Sequence, residues 1–274
     1  MTYPKTALIS DLHGNWPALQ VAVADARARN VQRFVCLGDV VGYGAKPREC
    51  LELVMALIDP ASEAGAGLEA GVCLQGNHEY ALLHSAEDFN PNARAAIEWT
   101  RMALAEGVEA PRAEQYWEFL AGLEPFVVES GAMYAHGSPR DPVREYMLPR
   151  DSRDSAKMKA VFARMRPFDA QEAFVCFVGH SHVPAIFYED GRFYRPKQTE
   201  GPYALSASAQ NRALVNVGSV GQPRDGDPRL SYVVFDGTNV SFVRLEYDVA
   251  AAQRDIRAVS DLPTYLADRL EKGQ

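Results

Sequence analysis

The histidines of this sequence lie where ligand sites commonly form. Five of the six lie at or just beyond the end of a short apolar run: His13, His78, His136, His180 and His182. Polar residues that follow strands in open α/β sheets collect in one ligand crevice. Neutral imidazole binds transition metals and titrates near neutral pH, so the pattern indicates a metal or acid–base site. The sixth, His84, follows a helix-like segment and is interpreted as structural.

Two pairs of polar residues are spaced two positions apart. Asp11 and His13 flank Leu12. His180 and His182 are likewise separated by one residue. In an extended chain, residues i and i+2 point to the same side, so Asp11 and His13 are predicted to face one metal, and His180 and His182 are predicted to share a face. Leu12 is then expected in the core.

Two further polar motifs follow apolar runs. Asp39 lies in a Gly-Asp-Val-Val-Gly segment, whose glycines permit close backbone approach. Its ionised carboxylate has two oxygens and can bridge two cations. Asn77 lies in Gly-Asn-His-Glu, and its amide oxygen is a neutral ligand that leaves the charge of a metal intact. His78, beside it, is predicted to reach a leaving group rather than the metal.

The elements that must position these residues alternate between strand-like and helix-like patterns up to about residue 180. Strands are predicted at Thr6–Ser10, Phe34–Leu37, Val72–Gln75, Ala132–Ala135 and Phe174–Val178. Helices are predicted at Trp16–Arg29, Lys46–Ile58, Ala93–Glu106, Glu114–Leu120 and Ser152–Arg166. This alternation predicts an α/β sandwich with a largely buried sheet.

Beyond residue 184, hairpins replace helices. Two hairpins are predicted around the turns 189–191 and 236–239. The last stretch, Val249–Leu270, is predicted to form a helix broken at Pro263. The segments 60–71 and 197–210 are predicted to be loops. No repeat or linker divides residues 1–274, which are interpreted as a single domain with a C-terminal hairpin region and helix.

The composition narrows the possible functions. The net charge is −8 and no basic stripe is present, which argues against extended nucleic-acid binding. No apolar stretch approaches the ~20 residues that a membrane span needs, and the N-terminus lacks the layout of a signal peptide. The four cysteines have no close spacing and are interpreted as reduced and buried, in a cytoplasmic protein. A small phosphorylated substrate remains compatible with the acidic total, and a homo-oligomer is compatible with the apolar C-terminal segment.

Five ordered motifs together resemble those of the calcineurin-like metallophosphoesterase superfamily. They are Asp-x-His, Gly-Asp-x-x-Gly, Gly-Asn-His-Glu, His-Gly and Gly-His-x-His, and from Asp11 to His182 they span about two-thirds of the chain. The later segment Asn216–Gly221 is similar to one in the small bacterial and archaeal phosphodiesterase-like members. The resemblance implies a four-layer α/β/β/α sandwich of two packed mixed sheets.

The resemblance also implies seven ligands around two metal ions. Around the first ion these are Asp11, His13 and His182, with Asp39 as the bridge. Around the second ion they are Asn77, His136 and His180. The resemblance assigns His78 the role of general acid or of donor to the transition state, an effect on the order of 10²–10⁴-fold.

Such a ligand set has chemical consequences. Four imidazoles, two carboxylates and one amide favour Mn, Fe, Zn, Co or Ni over Mg or Ca, which prefer oxygen ligands. Two divalent ions would exceed the negative charge of Asp11 and Asp39 by about two, which favours a hydroxide and a phosphoryl group. With the ions ~3.5–4 Å apart, a bridging hydroxide could attack phosphorus in line.

The sequence departs from the protein Ser/Thr phosphatases of this superfamily at two positions. Gly42 stands where those enzymes have the acid that orients the catalytic histidine, and Gln75 stands where they have an arginine. The departures argue against a protein phosphatase. Glu79 is adjacent to His78 but, as an i+1 neighbour, is not expected to orient it.

Two arginines in polar segments are candidates for binding the phosphate. Arg140 follows His136 and is interpreted either as a phosphate ligand or as a solvated residue. Arg224 follows the glycine-rich segment, and an ion pair to Asp225 or Asp227 is its alternative role.

The sequence thus favours a phosphoesterase that acts on a small phosphodiester or phosphomonoester. A dinucleoside-polyphosphate or nucleotide-pyrophosphate hydrolase would use the same metals and differ only around the rim of the site. A non-catalytic protein-binding module on the same fold is the alternative from a different class. Such modules typically lose metal ligands, whereas here the set of seven is intact.

Overall fold

The computed structural model describes residues 3–166 and 172–274. Its strands are β1 Thr6–Ile9, β2 Arg33–Cys36, β3 Val72–Cys73, β4 Phe126–Glu129, β5 Ala132–Ala135, β6 Val175–Val178, β7 Ala185–Tyr188, β8 Phe193–Tyr194, β9 Glu200–Ala204, β10 Ala213–Asn216, β11 Leu230–Phe235 and β12 Asn239–Leu245. Its α-helices are α1 Trp16–Ala28, α2 Pro47–Ile58, α3 Asn77–Leu83, α4 Pro91–Ala105, α5 Ala110–Ala121, α6 Ser155–Arg164, α7 Val249–Arg257 and α8 Tyr265–Asp268. Short 3-10 helices lie at Pro149–Arg153 and Leu270–Lys272.

The strands form two mixed sheets. The first has the order β3-β2-β1-β11-β12-β9, and the second has the order β4-β5-β6-β10-β7-β8. β1, β2 and β3 run parallel, as do β5, β6 and β10, whereas the other neighbours are antiparallel. Because the carboxyl ends of parallel strands open at the same edge of a sheet, each sheet directs three strand ends to one edge.

The two sheets pack face to face on an apolar layer, and helices cover their outer faces. Side chains of the layer include Leu8, Val35, Tyr134, Phe177, Val215 and Val233. On the opposite face of β1, Ala7 and Ile9 pack in a second cluster with α1 and α2. Cys176 and Phe162 belong to a third cluster, between the second sheet and α6. The predicted α/β/β/α sandwich is therefore confirmed, and strands buried on both faces explain the continuous apolar runs.

Most of the predicted elements are confirmed to within a few residues. Asn15 is the N-cap of α1, because its side-chain oxygen accepts a hydrogen bond from the Ala18 N–H (3.2 Å). Both predicted hairpins form, from β7 and β8 and from β11 and β12. All four cysteines are buried and unpaired.

The structure differs from the predictions in three details. The segment 197–210 is not only loop, because β9 lies within it and pairs with β12 at the edge of the first sheet. Gly201 and Pro202 within this strand indicated a loop, but proline is tolerated in a strand at the edge of a sheet. β4 was not predicted. The C-terminal helix is broken around Pro263, as predicted, but α7 already ends at Arg257 and α8 begins at Tyr265, and Leu262 packs inward in the intervening turn.

Among the residues that the structure describes, no helix is long and apolar enough to cross a bilayer.

Candidate metal centre

The predicted site residues lie in loops that leave the parallel strands with unusual backbone geometry. Five of them have positive φ: Asp11 (53°), His13 (48°), Asp39 (53°), His180 (61°) and His182 (59°). Left-handed backbone costs a non-glycine residue roughly 1–2 kcal/mol. Such strain persists where the surroundings impose it, and it concentrates at functional sites.

The extended geometry predicted for Asp11–His13 is therefore wrong, although its consequence holds. Backbone hydrogen bonds tie the loop to the end of β2, from Asp11 N to Gly38 O (3.0 Å) and from His13 N to Asp39 O (2.9 Å). Two left-handed residues, rather than a strand, turn both side chains to one side. Leu12 still lies fully in the core, as predicted.

A first group of ligand atoms contains Asp11, His13 and His182, all buried. His182 Nε2 lies 3.1 Å from Asp11 Oδ1 and 3.3 Å from His13 Nε2. His13 Nε2 lies 4.0 Å from Asp11 Oδ1. Ligands held at about 2.0–2.2 Å around one cation are separated by roughly 3–3.6 Å, so these donors fit one ion with little adjustment.

A second group contains Asp39, His136 and His180. His136 Nε2 lies 3.0 Å from His180 Nδ1 and 3.4 Å from Asp39 Oδ2. The amide oxygen of Asn77 also lies 3.0 Å from His136 Nε2. The structure thus brings the predicted amide to the same group.

Asp39 lies between the two groups. Its Oδ2 atom is 3.7 Å from His13 Nε2 and 3.4 Å from His136 Nε2. Its Oδ1 atom accepts a hydrogen bond from the His78 backbone N–H (2.9 Å), which fixes the carboxylate. The Asp11 carboxylate is fixed in the same way, because its Oδ2 accepts a hydrogen bond from the His180 N–H (3.0 Å). Its Oδ1 has no hydrogen-bond partner among the residues that the structure describes.

Each of the four predicted histidine ligands has an inner ring nitrogen, which faces the other ligand atoms, and an outer ring nitrogen, which faces away from them. The outer nitrogen of each ring contacts a backbone carbonyl. The contacts are His13 Nδ1 with Val41 O (3.2 Å), His136 Nδ1 with Leu37 O (3.0 Å), His180 Nε2 with Arg144 O (3.0 Å) and His182 Nδ1 with Gln222 O (2.5 Å). A carbonyl accepts only, so the outer nitrogen carries the proton of a neutral ring. The inner nitrogens then point lone pairs at one another across about 3 Å, an arrangement that a cation would stabilise.

Burial keeps most of these rings neutral. It lowers the pKa of His13 well below the usual value, lowers that of His182, and with His136 lowers the pKa of His180 to about 3. Burial also opposes charge on His136, but Asp39 and Asp11 outweigh it and raise its pKa to about 9. A divalent cation bound there would replace that proton.

The two carboxyl groups stay ionised. Burial alone would raise their pKa values, but the neighbouring histidines outweigh it and lower the pKa of both Asp11 and Asp39 below the usual range. The donor set therefore combines neutral imidazoles with anionic carboxylates, as a divalent transition metal requires. The residues present fit such ions.

His78 is buried beside this centre and is held by rings. Tyr43, His13 and Phe89 contact it edge-on, with ring centroids 4.5, 4.7 and 5.2 Å away. Its Nδ1 atom has no hydrogen-bond partner within residues 3–166 and 172–274, and burial lowers the pKa of His78 to about 4. His78 also lies within ligand distance of His13 and Asp39, so the geometry permits it a place in a third donor group.

Glu79 does not orient the His78 ring, as expected from the sequence, but it has another role that the sequence analysis missed. Its buried carboxylate accepts hydrogen bonds from the backbone N–H groups of Asp39 (2.8 Å), Val40 (2.8 Å) and Gly76 (2.9 Å). Glu79 therefore holds the Asp39 loop against the start of α3. A glutamate at the third position of a helix is a capping signal that could have indicated it.

The segment Asn216–Gly221 joins the loops of both sheets. The Asn216 amide donates to Gly179 O (2.6 Å) and to Ser181 Oγ (2.9 Å), beside His180. Ser219 Oγ donates to Asp11 O (2.8 Å), and the Gly221 N–H donates to the same oxygen (2.9 Å). This segment thus fixes the two metal-facing loops relative to each other.

A cavity of about 280 Å³ opens over the centre. Its wall includes Asp39, Asn77, His78, His180 and His182, together with aromatic and charged residues at the mouth. Of the two candidate arginines, Arg224 lines the cavity. Arg140 is outside its wall and pairs with Glu145 (3.0 Å). The sequence analysis missed Arg144 and Tyr146, which do line the cavity.

The alternative ion pairs suggested for Arg224 do not form. Asp225 pairs with the buried Arg244, and Asp227 pairs with Arg229 (2.6 Å). Within the described part of the chain, Arg224 has no carboxylate partner within 4 Å, and its guanidinium donates to Gln222 Oε1 (2.7 Å). Its positive charge is therefore available to the cavity.

Comparison with known proteins agrees with this fold and donor set. Residues 4–184 match the family described as calcineurin-like phosphoesterase. The chain belongs to this family.

Three individual relatives extend the similarity over almost the whole chain. An uncharacterized protein of Methanocaldococcus jannaschii, MJ0912, is 33% identical over 280 residues, covering 98% of both chains. The crystal structure of a metallophosphoesterase from Sphaerobacter thermophilus superposes with a TM-score of 0.77 at 35% identity and covers 99% of both chains. The hypothetical protein PH1004 from Pyrococcus horikoshii OT3 shares the fold, with a TM-score of 0.73, 18% identity and 98% coverage of both chains.

Proposed function

We propose that this chain is a dinuclear metal-dependent phosphoesterase that hydrolyses a small phosphodiester or phosphomonoester. The observation that supports this most directly is the position of Asp39 Oδ2, 3.7 Å from one donor nitrogen and 3.4 Å from another in a separate group. One carboxylate oxygen facing two groups of lone pairs is the arrangement that a bridging ligand needs. Membership of the family supports the same reaction class.

We assign the ligands as two groups joined by one bridge. Asp11, His13 and His182 would hold the first ion, and Asp39 would bridge. Asn77, His136 and His180 would hold the second. Two bound divalent ions ~3.5–4 Å apart would activate a water molecule and neutralise the phosphoryl oxygens.

The chain's own residues would position the substrate and handle the proton. His78 lines the cavity beside Asp39, and we assign its ring N–H to donate a hydrogen bond to the leaving oxygen in the transition state. Arg224 would bind a phosphoryl oxygen, because no carboxylate of the described residues pairs with its charge and a guanidinium suits that geometry. Arg224 would thereby take the role of the arginine that protein phosphatases have at the position of Gln75, although it lies in a different loop.

The proposal is tested by hydrolysis of bis-p-nitrophenyl phosphate with added Mn²⁺ or Ni²⁺, together with the metal content of the purified chain. We expect turnover and about two metal ions per chain. His78→Ala should lower turnover on the order of 10²–10⁴-fold while the metal content stays the same. If His78→Ala instead lost metal, His78 would be a ligand rather than a donor.

The same experiment addresses the non-catalytic alternative. A purified chain with well under one metal ion per molecule, and no turnover above His78→Ala with any of several metals, would contradict the proposal. It would favour a protein-binding module on this fold. Metal retention with turnover would exclude that module as the sole function.

A further inference from the structure

The segment 144–146 forms one side of the cavity mouth. Arg144 and Tyr146 line the cavity. Glu145, between them, contacts Arg140 (3.0 Å) and accepts a hydrogen bond from Ser138 Oγ, outside the cavity. The segment is anchored to the metal centre, because the Arg144 carbonyl accepts a hydrogen bond from His180 Nε2 (3.0 Å). Its two cavity-facing side chains are thus held at a fixed position relative to the predicted second ion.

Tyr146 presents a flat apolar surface there. Its ring stacks on that of His180, with centroids 3.7 Å apart and planes at 19°. The residue is nevertheless 42% exposed, whereas the large ring of a tyrosine is usually buried. One face of the ring is therefore covered by a predicted ligand and the other remains accessible.

Arg144 adds a positive charge beside that surface. Its guanidinium lies over the Tyr80 ring, 4.7 Å from the centroid, and the residue is exposed. Within the described residues, no carboxylate lies within ion-pair distance of its side chain. A guanidinium held over an aromatic ring still has N–H groups that can bind an anion such as phosphate.

With two divalent ions bound, the cavity would carry more positive charge than a simple diester requires. Two divalent ions would leave a surplus of about two positive charges over Asp11 and Asp39. Arg144 and Arg224 each add one, and Asp88 in the same wall removes one. A phosphodiester carries a single negative charge, so a substrate with a further anionic group fits this cavity better.

We infer that Arg144 and Tyr146 bind the leaving group of the substrate, and that this group is a nucleoside phosphate. The base would stack on the exposed face of Tyr146, and the additional phosphate would pair with Arg144. The inference rests on the proposed function and specifies its substrate class. Hydrolysis would join the water oxygen to phosphorus and break the bond to the leaving oxygen, and the proton lost by water would balance the proton taken up by the leaving group.

Equilibrium binding of a product-like nucleotide tests the inference without relying on turnover. AMP, ribose 5-phosphate and inorganic phosphate are titrated calorimetrically into the Mn²⁺-loaded chain. We expect AMP to bind about 5- to 100-fold more tightly than ribose 5-phosphate, because the two differ only in the base and stacking of a base has this effect. Tyr146→Ala should abolish the difference and Tyr146→Phe should keep it.

Arg144→Ala should weaken AMP and ribose 5-phosphate alike, by about tenfold or more. The matched control is Arg150→Ala, an exposed arginine on the following 3-10 helix and outside the cavity wall. The Arg150→Ala variant should bind AMP and ribose 5-phosphate with the same affinities as the unmodified chain. The metal content of every variant is measured, since Tyr146 contacts His180.

The outcomes separate the two proposals. If AMP and ribose 5-phosphate bind equally while bis-p-nitrophenyl phosphate is hydrolysed, the leaving-group assignment is overturned and the proposed function stands. If AMP is preferred through Tyr146 while no metal or turnover is found, the subsite stands and the phosphoesterase proposal fails. Preference for ribose 5-phosphate would indicate a sugar phosphate instead and would also overturn the inference.

Discussion

Gly42 lies directly against the imidazole of His78. A β-carbon at position 42 would be 2.1 Å from His78 Nδ1, and the backbone at this glycine has φ of +87°. A side chain therefore cannot occupy the place where protein phosphatases of the superfamily have an orienting acid. The ring is oriented by packing against Tyr43, His13 and Phe89 instead.

Replacing Gly42 should therefore act through His78. We expect Gly42→Ala to displace the ring and to lower hydrolysis of bis-p-nitrophenyl phosphate by about 10²-fold or more, with the metal content unchanged. Gly67→Ala is the matched control, since Gly67 also has positive φ (+79°) but has open space around its β-position. It should cost about 1 kcal/mol of stability and leave turnover intact. Equal activity of the two variants would show that His78 does not require this contact.

Glu79 should be a positioning residue for the Asp39 loop. In Glu79→Gln, the amide NH₂ would face backbone N–H groups that now bond to a carboxylate, leaving buried donors unpaired. We expect a loss of about 1–3 kcal/mol in the free energy of unfolding, measured in urea, and a weaker affinity for metal. Glu98→Gln, on the exposed face of α4, should change neither quantity. Unchanged metal affinity in Glu79→Gln would contradict the positioning role.

The histidines of the fifth motif should serve different ions. His182 belongs to the group with Asp11, and His180 belongs to the group with Asp39 and His136. We expect His182→Ala and His180→Ala each to retain about one ion, and Asp39→Ala to retain fewer than either, because Asp39 faces both groups. Elemental analysis after gel filtration measures this. Complete loss in both histidine variants would indicate one shared ion.

Chelation should lower the thermal stability of the chain. A ligand at 100 times its Kd stabilises the folded state by about 2.7 kcal/mol, which corresponds to a shift of several degrees in Tm. We therefore expect the chelated chain to melt several degrees below the Mn²⁺-loaded chain, and we expect this difference to shrink in Asp39→Ala. An equal metal-induced shift in Asp39→Ala would place the bound ion elsewhere.

Arg224 should contribute to substrate affinity rather than to metal binding. Loss of a hydrogen bond to a charged group amounts to roughly 1.5–3 kcal/mol, so Arg224→Ala should raise KM by about 10- to 100-fold with metal content unchanged. Arg229→Ala is the control, because Arg229 lies on the same stretch but is paired with Asp227. If the two variants had the same KM, Arg224 would not contact the substrate.

Local patterns in the sequence were sufficient to predict the fold class and the neighbourhood of the site. Apolar runs of four or five residues that end in Asp, Asn or His identified the strands, and the order of the motifs identified the family. These signals are local, since strand periodicity and the polarity of a strand end depend on a few adjacent residues. The predicted metal ligands were accordingly brought together, Asn77 among them.

The tertiary structure alone decided which distant loops meet. Glu79 contacts backbone about forty positions earlier, and Arg144 lines the cavity whereas Arg140 pairs with Glu145. β9 forms because β12 offers an unpaired edge, which no local composition reveals. The left-handed turns at Asp11 and His180 are likewise imposed by hydrogen bonds between loops, since their own residue types disfavour that conformation.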